Sequence, residues 1–296
     1  MKLLLIGKNG QLGRELFRTL APLGDLAAVD RKQVDLAYPD SIRSAVQDTA
    51  PDVIINAAAY TAVDRAETEQ AAAFAVNRDG PAVLAEEAAK RRALLVHFST
   101  DYVFDGEKPT PYVESDDPNP LNAYGHSKLA GEREIQDSGC RHVILRTSWI
   151  YSASGQNFLL TMLALASRVK EIRVVDDQFG APTSSRMIAD AVPTIVSKAM
   201  HDERLCDVYH MTAAGTTSWC QFARAILGGS AEVIPISSRD FAAPARRPRN
   251  SELDNSKLRV AYGIELPAWR AGLSDVLQQL RRERGRSSKQ PFPAEE

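Results

Sequence analysis

Leu3-Leu4-Leu5-Ile6-Gly7-Lys8-Asn9-Gly10-Gln11-Leu12-Gly13 is a short apolar run that stops on a glycine-rich turn. Four adjacent apolar residues suit a strand covered on both faces in a parallel sheet. The spacing that follows predicts a helix over 11–20, with Leu12, Leu16, Phe17 and Leu20 on one side and Pro22 and Gly24 ending it. Gly7, Gly10 and Gly13 therefore sit where a strand turns tightly into a helix. Without side chains there, the backbone N–H groups around Gln11 and Leu12 can approach a pyrophosphate at the helix N-terminus. The glycine spacing differs by one residue from the usual G-x-G-x-x-G.

Outward from that turn the alternation repeats. Residues 26–29 read as a second strand closing on Asp30, 41–49 as a helix and 53–55 as a strand. Helices are expected over 69–74 and 81–92, a strand over 94–98, a helix over 124–137 and a strand over 142–146. Strands alternating with helices at these intervals imply an α/β fold, a Rossmann-type doubly wound parallel sheet. Beyond about residue 150, prolines such as Pro182, Pro193, Pro235 and Pro248 break the pattern into shorter elements. The expected organisation is a dinucleotide-binding domain over 1–150, rejoined by some later segments. A smaller, mainly substrate-binding α/β region over 151–280 follows, and then a flexible tail over 281–296, basic and poor in apolar anchors.

Bulk composition narrows the classes. The 296 residues carry 36 basic and 38 acidic side chains, so no global field favours nucleic acid or an anionic membrane. Cys140, Cys206 and Cys220 form no paired spacing, and the five histidines are scattered, which argues against a disulfide framework and a zinc site. No apolar run approaches the ~18 residues that cross a bilayer. The N-terminal apolar run ends at a glycine turn rather than a cleavage site. A cytoplasmic protein that binds neither nucleic acid nor membrane is expected.

Several positions point to chemistry on a bound dinucleotide. Asp30, about twenty residues past the glycines, is placed to accept hydrogen bonds from an adenosine ribose. Arg31 beside it suits a 2′-phosphate instead, which leaves NADH and NADPH both open. Asp35-Leu36 lies where the next loop could flank adenine. Asn56-Ala57-Ala58-Ala59-Tyr60-Thr61 follows the third strand with small residues that let the backbone lie against a cofactor. Phe98-Ser99-Thr100 ends the fourth strand, and ligands of open α/β sheets gather outside such carboxyl ends. Tyr124 and Lys128 are four apart, so on a helix they share one face. A lysine ammonium beside the phenol would lower its pKa by ~2 to 3 units, worth roughly 3 to 4 kcal/mol, and make it a usable acid and base. The cofactor would supply the hydride.

These strings resemble the extended short-chain dehydrogenases/reductases. Ser99 to Gly106, Asn122 to Glu132, Arg146 to Tyr151, Asp177 to Thr183 and Arg247 to Ser251 narrow the likeness to members acting on a dTDP-linked keto-deoxyhexose. The resemblance implies NAD(P)H-dependent reduction of a C4 keto group to give dTDP-L-rhamnose, the last step toward that activated sugar. Within it Tyr124 would donate a proton to O4, Lys128 would hold the nicotinamide ribose and lower the phenol pKa, and Thr100 would position the sugar. Asp101, Tyr102 and Trp149 match substrate-side positions, with Thr61 and Val63 nearby. From charge alone, Arg247 or Arg249 suits the nucleotide diphosphate.

Some relatives are described as dimerising through acidic side chains and magnesium. Here Arg186 stands where such an acid can occur, although Glu15 is present, so a monomer or a homodimer is expected and no metal in catalysis. Two other readings compete. One is a non-catalytic NADP-binding regulatory subunit, as in the similar beta subunit of methionine adenosyltransferase. The other is an epimerase or dehydratase, which would need a further acid/base pair.

Overall fold

Strand β1 (Lys2–Ile6) carries apolar side chains on both faces, and the two faces enter different cores. Leu3 and Leu5 join one cluster, Leu4 and Ile6 the other, as the two-residue period of a strand requires. In the computed structural model, which describes residues 1–287, the first half runs α1 (Gln11–Leu20), β2 (Asp25–Val29), α2 (Pro39–Thr49), β3 (Val53–Asn56), α3 (Val63–Ala66), α4 (Gln70–Phe74), α5 (Gly80–Arg91), β4 (Leu94–Thr100), α6 (Ala123–Asp137) and β5 (His142–Thr147). The second half runs β6 (Ile150–Tyr151), α7 (Phe158–Ala166), β7 (Glu171–Val175), β8 (Phe179–Gly180), β9 (Thr183–Ser184), α8 (Ser185–His201), β10 (Val208–His210), β11 (Thr217–Ser218), α9 (Trp219–Leu227), β12 (Glu232–Ile236), α10 (Ser256–Tyr262) and α11 (Trp269–Ser287).

Six strands form one parallel sheet in the order β2-β1-β3-β4-β5-β10. The direction of winding reverses between β1 and β3, so their carboxyl ends open a crevice of the kind that receives ligands in doubly wound folds. On one face α1 and α8 pack through Leu12, Leu16, Ile188, Val192 and Ile195. The other face is covered by α2 and α5 through Ile42, Val46, Leu84 and Ala88. Strand β10 and helix α8 belong to the second half of the sequence yet complete the first half's sheet and core. Short pairs β7·β12, β8·β11 and β6·β9 lie outside the main sheet.

Two differences from the sequence expectation have physical causes. The separate helices expected over 69–74 and 81–92 are joined by a π-helical turn, Ala75–Asp79. Pro81 in the first turn of α5 has no N–H to give the preceding residues, which suits a wider turn there. Residues 281–287, assigned to a tail, continue α11. Leu273 and Val276 anchor that helix in the core, and the Arg, Glu and Gln that follow are good helix formers. Residues 288–296, the rest of that tail, lie outside the described residues. Among the described residues no helix is long and apolar enough to cross a membrane.

Candidate active site

The glycine turn is built by close approach of backbone to backbone. Gly7 has φ +89°, and a Cβ there would lie 3.0 Å from the Ala58 nitrogen after β3. A Cβ on Gly13 would fall 2.0 Å from the Gly7 carbonyl oxygen, so only glycine lets α1 start this close to β1. Helix α1 has Gly10 as its N-cap and no side-chain cap. Its first N–H groups, Gln11 and Leu12 among them, therefore point into the crevice without a side-chain partner, a cradle that fits a dinucleotide pyrophosphate. Gln11 ties this rim to the second half of the chain. Its Oε1 accepts from Asn157 Nδ2 at 2.8 Å and from Ser152 Oγ at 3.2 Å.

Beside the cradle, the Asp30 carboxylate accepts from Asn9 Nδ2 at 3.0 Å and from the Lys32 backbone at 2.9 Å. Arg31 is exposed, with Nε 3.1 Å from Asp35 Oδ2. Leu36 is buried in the second core. Its side chain anchors the Asp35-Leu36 loop, so that any approach of this loop to adenine would be through its backbone. Ala59 and Tyr60 are half-buried and Thr61 is exposed. Tyr60 is fixed from both ends: Asn77 Oδ1 accepts its N–H at 2.8 Å, and its hydroxyl donates to Glu69 at 2.6 Å.

Helix α6 presents Tyr124 and Lys128 because its first turn is held from outside. Asn122 Oδ1 caps Gly125 N–H at 2.8 Å, and Glu67 Oε1 accepts Ala123 N–H at 2.8 Å. Buried Asn77, in the π-helical turn, donates to Ser127 Oγ at 2.9 Å and so joins the Tyr60 segment to α6. Tyr124 keeps some contact with solvent, yet burial pushes its phenol up to about 12, an effect countered by the Thr100 hydroxyl and reinforced by the Asp101 carboxylate. This is opposite to the lowering expected from Lys128. The lysine is instead turned into the core, with Nζ 2.7 Å from the Phe98 carbonyl oxygen and 2.9 Å from His97 Nε2. Burial pushes that ammonium down to about 8, against the pull of Glu132.

Thr100 and Asp101 close the end of β4. Thr100 Oγ1 donates to Asp101 Oδ1 at 3.0 Å and accepts the Tyr102 N–H at 3.2 Å. Burial raises the Asp101 carboxyl to about 7, and its Oδ2 has no partner among the described residues. Tyr102 meets Tyr124 edge to face with ring centroids 6.0 Å apart. Trp149 takes the left-handed conformation, φ +47°, and stacks on Trp219 at 3.6 Å. A Cβ on Gly180 would lie 2.7 Å from its indole, so glycine there admits the ring. Val63 opens α3, beside Asp64. Arg247 Nη2 donates to Asp64 Oδ2 at 2.8 Å and also faces the Tyr102 hydroxyl. It is thus already neutralised, whereas Arg249 is exposed.

Glu15 and Asp190 both pair with Arg18, at 3.3 and 2.6 Å, and Asp190 lies 4.0 Å from Arg186. Within this chain these acids are paired with guanidinium groups. No cluster of three or more His, Cys, Asp or Glu able to hold a metal occurs among the described residues.

The structure thus brings Gly7, Gly13, Ala58, Thr100, Asp101, Tyr102, Tyr124 and Lys128 to neighbouring strand ends. Sequence reasoning missed His97, Asn77, Ser152 and Asn157. A histidine inside the apolar run Leu94–Phe98 was the one signal for His97. The other three act through partners far away in sequence.

The family model for the RmlD substrate binding domain matches residues 1–282. The chain is 47% identical over 285 residues to a dTDP-4-dehydrorhamnose reductase of Burkholderia thailandensis, covering 91% of this chain and 96% of the relative. It is 39% identical over 293 residues to the dTDP-4-dehydrorhamnose reductase of Escherichia coli, covering 95% and 98%. Among solved structures, a dTDP-4-dehydrorhamnose reductase from Bacillus anthracis in complex with NADP superimposes with TM-score 0.88 at 36% identity, covering 94% of this chain and 100% of that one. A Thermus thermophilus UDP-glucose 4-epimerase complex with NAD, at 21% identity and TM-score 0.79 over 95% and 99%, shares the fold.

Proposed function

The chain belongs to the RmlD substrate binding domain family, and from that premise we propose that it is a dTDP-4-dehydrorhamnose reductase. It reduces the C4 keto group of dTDP-4-dehydro-L-rhamnose to dTDP-L-rhamnose at the expense of NADPH or NADH. The observation that carries this reading is Tyr124 beside the Thr100 hydroxyl, one helical turn before Lys128 and next to a glycine cradle that fits a dinucleotide, in a chain 47% identical to a reductase of that name. When bound, the reduced nicotinamide supplies the hydride that C4 receives.

The protein's own part is to place and protonate. Tyr124, held protonated by burial, donates to O4 as the C4–H bond forms, and the resulting phenolate recovers its proton from water. Thr100 hydrogen-bonds the sugar oxygen and the phenol. Lys128, one helical turn past Tyr124 on α6, would hold the nicotinamide ribose. Asp101, Tyr102, Val63 and the indole of Trp149 form the sugar wall. Arg247 acts by keeping Asp64 and Tyr102 in place, while the exposed Arg249 is better placed to meet a diphosphate. The Asp30 carboxylate and the Arg31 guanidinium suit the unphosphorylated and phosphorylated ribose respectively, consistent with use of either cofactor. Residues 1–150 with the returning α8 and β10 hold the dinucleotide and part of the sugar wall, the remaining segments to 280 mainly close over the substrate, and the protein works in the cytoplasm as a monomer or homodimer.

Absorbance at the reduced-nicotinamide band, with the keto-sugar generated from dTDP-glucose, tests the reading. Stoichiometric oxidation that Tyr124→Phe lowers by ~100-fold or more is expected. Cofactor binding without turnover in wild type would overturn the reductase and favour a regulatory subunit, and recycling of the cofactor would favour an epimerase or dehydratase.

A further inference from the structure

Lys128 Nζ meets His97 Nε2 and the Phe98 carbonyl, and the hydrogen bonds around that histidine do not all fit one protonation state. We propose that Asn56, His97 and Lys128 form a relay in which the His97 tautomer, and with it the Asn56 amide at the cofactor-facing end of β3, follows the charge on Lys128. His97 is then a positioning residue for the lysine, acting through it. The proposal rests on the reading that Lys128 belongs to the working site.

The Ala58 backbone offers an unambiguous donor. Its N–H lies 3.1 Å from one amide atom of Asn56, which must therefore be the oxygen. The Asn56 NH2 is left facing His97 Nδ1 at 3.1 Å, so that bond forms only when Nδ1 accepts. A neutral ring accepting at Nδ1 carries its proton on Nε2. Nε2–H then donates across 2.9 Å to Lys128 Nζ, which must offer a lone pair. A neutral amine satisfies this and still donates to the Phe98 carbonyl at 2.7 Å.

An ammonium cannot accept, so when Lys128 is charged the imidazole has to accept at Nε2 and carry its proton on Nδ1. That proton then opposes the Asn56 NH2. All three side chains are buried, so no solvent relieves the conflict. An imidazolium would donate from both nitrogens and find no acceptor, in keeping with a ring held neutral well below the ordinary histidine range by burial and by Lys128. The other charged group acting on Lys128 is Glu132 of α6, itself bound by Arg146 of β5 at 2.7 Å. From β3 and β4 the relay meets only uncharged groups, Asn56 and the Phe98 carbonyl. Lys128, held near pH 8, changes charge within the working range of an assay. The Asn56 amide in turn anchors Ala58, whose nitrogen backs onto Gly7 in the cradle.

Nitrogen-15 NMR of the full chain with labelled histidine, titrated from about pH 6 to 10, tests this, with His97→Gln identifying the His97 resonances. The expected result is a ring that stays neutral and passes from the Nδ1–H to the Nε2–H tautomer as pH rises. Asn56→Asp supplies an acceptor for Nδ1–H and keeps Ala58 N–H satisfied, so it should hold the first tautomer throughout. It should also move the alkaline limb of turnover up by ~1 pH unit. A wild-type ring that keeps one tautomer, or that becomes imidazolium, overturns the relay. The wild-type titration decides even if the variant does not fold. Because it needs no substrate, its failure is separate from failure of the reductase reading.

Discussion

Asp101 carries a prediction that belongs to one side chain. Burial raises its carboxyl from the ordinary 3.8 to about 7, so folding favours the protonated acid. The stability this confers is fully present below about pH 4 and is lost as pH rises through about 7. Asp101→Asn cannot titrate. Thermal unfolding at pH 5 and pH 8 should show wild type losing ~2 kcal/mol more than the variant between the two; equal losses would mean that another group sets the slope. The identity of such residues was legible where chemistry has a local signature. Tyr124 and Lys128 stand out by their four-residue spacing, and the glycines by their place after an apolar run. Their electrostatics were not legible. The direction of the Tyr124 shift depends on what encloses the phenol and on Lys128 turning toward His97, 31 residues away, and no spacing reports that.

Helix α6 is the element on which the proposed chemistry depends, and Asn122 does two jobs at its start. Its oxygen caps Gly125 N–H, while its nitrogen donates to the Arg246 carbonyl at 2.7 Å, tethering the segment that carries Arg247. Asn122→Ala should lower stability by ~1 to 2 kcal/mol and raise KM for the nucleotide sugar. Asn122→Asp keeps the capping oxygen but not the donor, so stability should largely return while KM stays raised. If both parameters recover together, the tether has no role at the site. Element positions were largely legible, since apolar runs and breakers placed α1 at 11–20 and β4 near 94–98. The π-helical turn was not. It follows from Pro81 in the next helix and from Asn77 bridging Tyr60 to Ser127, a long-range closure that local propensity does not encode.

At the scale of the whole molecule the sequence pattern named a doubly wound sheet but not its order, because strand neighbours are chosen by tertiary packing. The order β2-β1-β3-β4-β5-β10 puts a strand from residues 208–210 on the edge of a sheet otherwise finished by 147. Helix α8 covers α1 on one face, with Ile188, Val192 and Ile195 in the same core cluster as Leu3, Leu5, Leu12 and Leu16. Interruption by prolines after residue 150 suggests a second unit, yet the apolar surfaces of the two halves are shared. A chain cut to residues 1–150 would leave Leu12, Leu16 and Leu20 of α1, all buried in the whole protein, without α8 against them. It would also leave β5 as a bare parallel edge. Uncovering three leucines alone forfeits roughly 5 to 9 kcal/mol of burial, comparable to the net stability of a typical domain. The fragment should therefore bind a hydrophobic dye and lack a cooperative thermal transition. The full chain should unfold in one transition seen alike by far-ultraviolet circular dichroism and by tryptophan fluorescence, because Trp219 and Trp269 lie beyond residue 150 and Trp149 stacks on Trp219. Two separated transitions, or a folded fragment that binds reduced cofactor, would show instead that the dinucleotide-binding half is energetically independent of the segments that return to it.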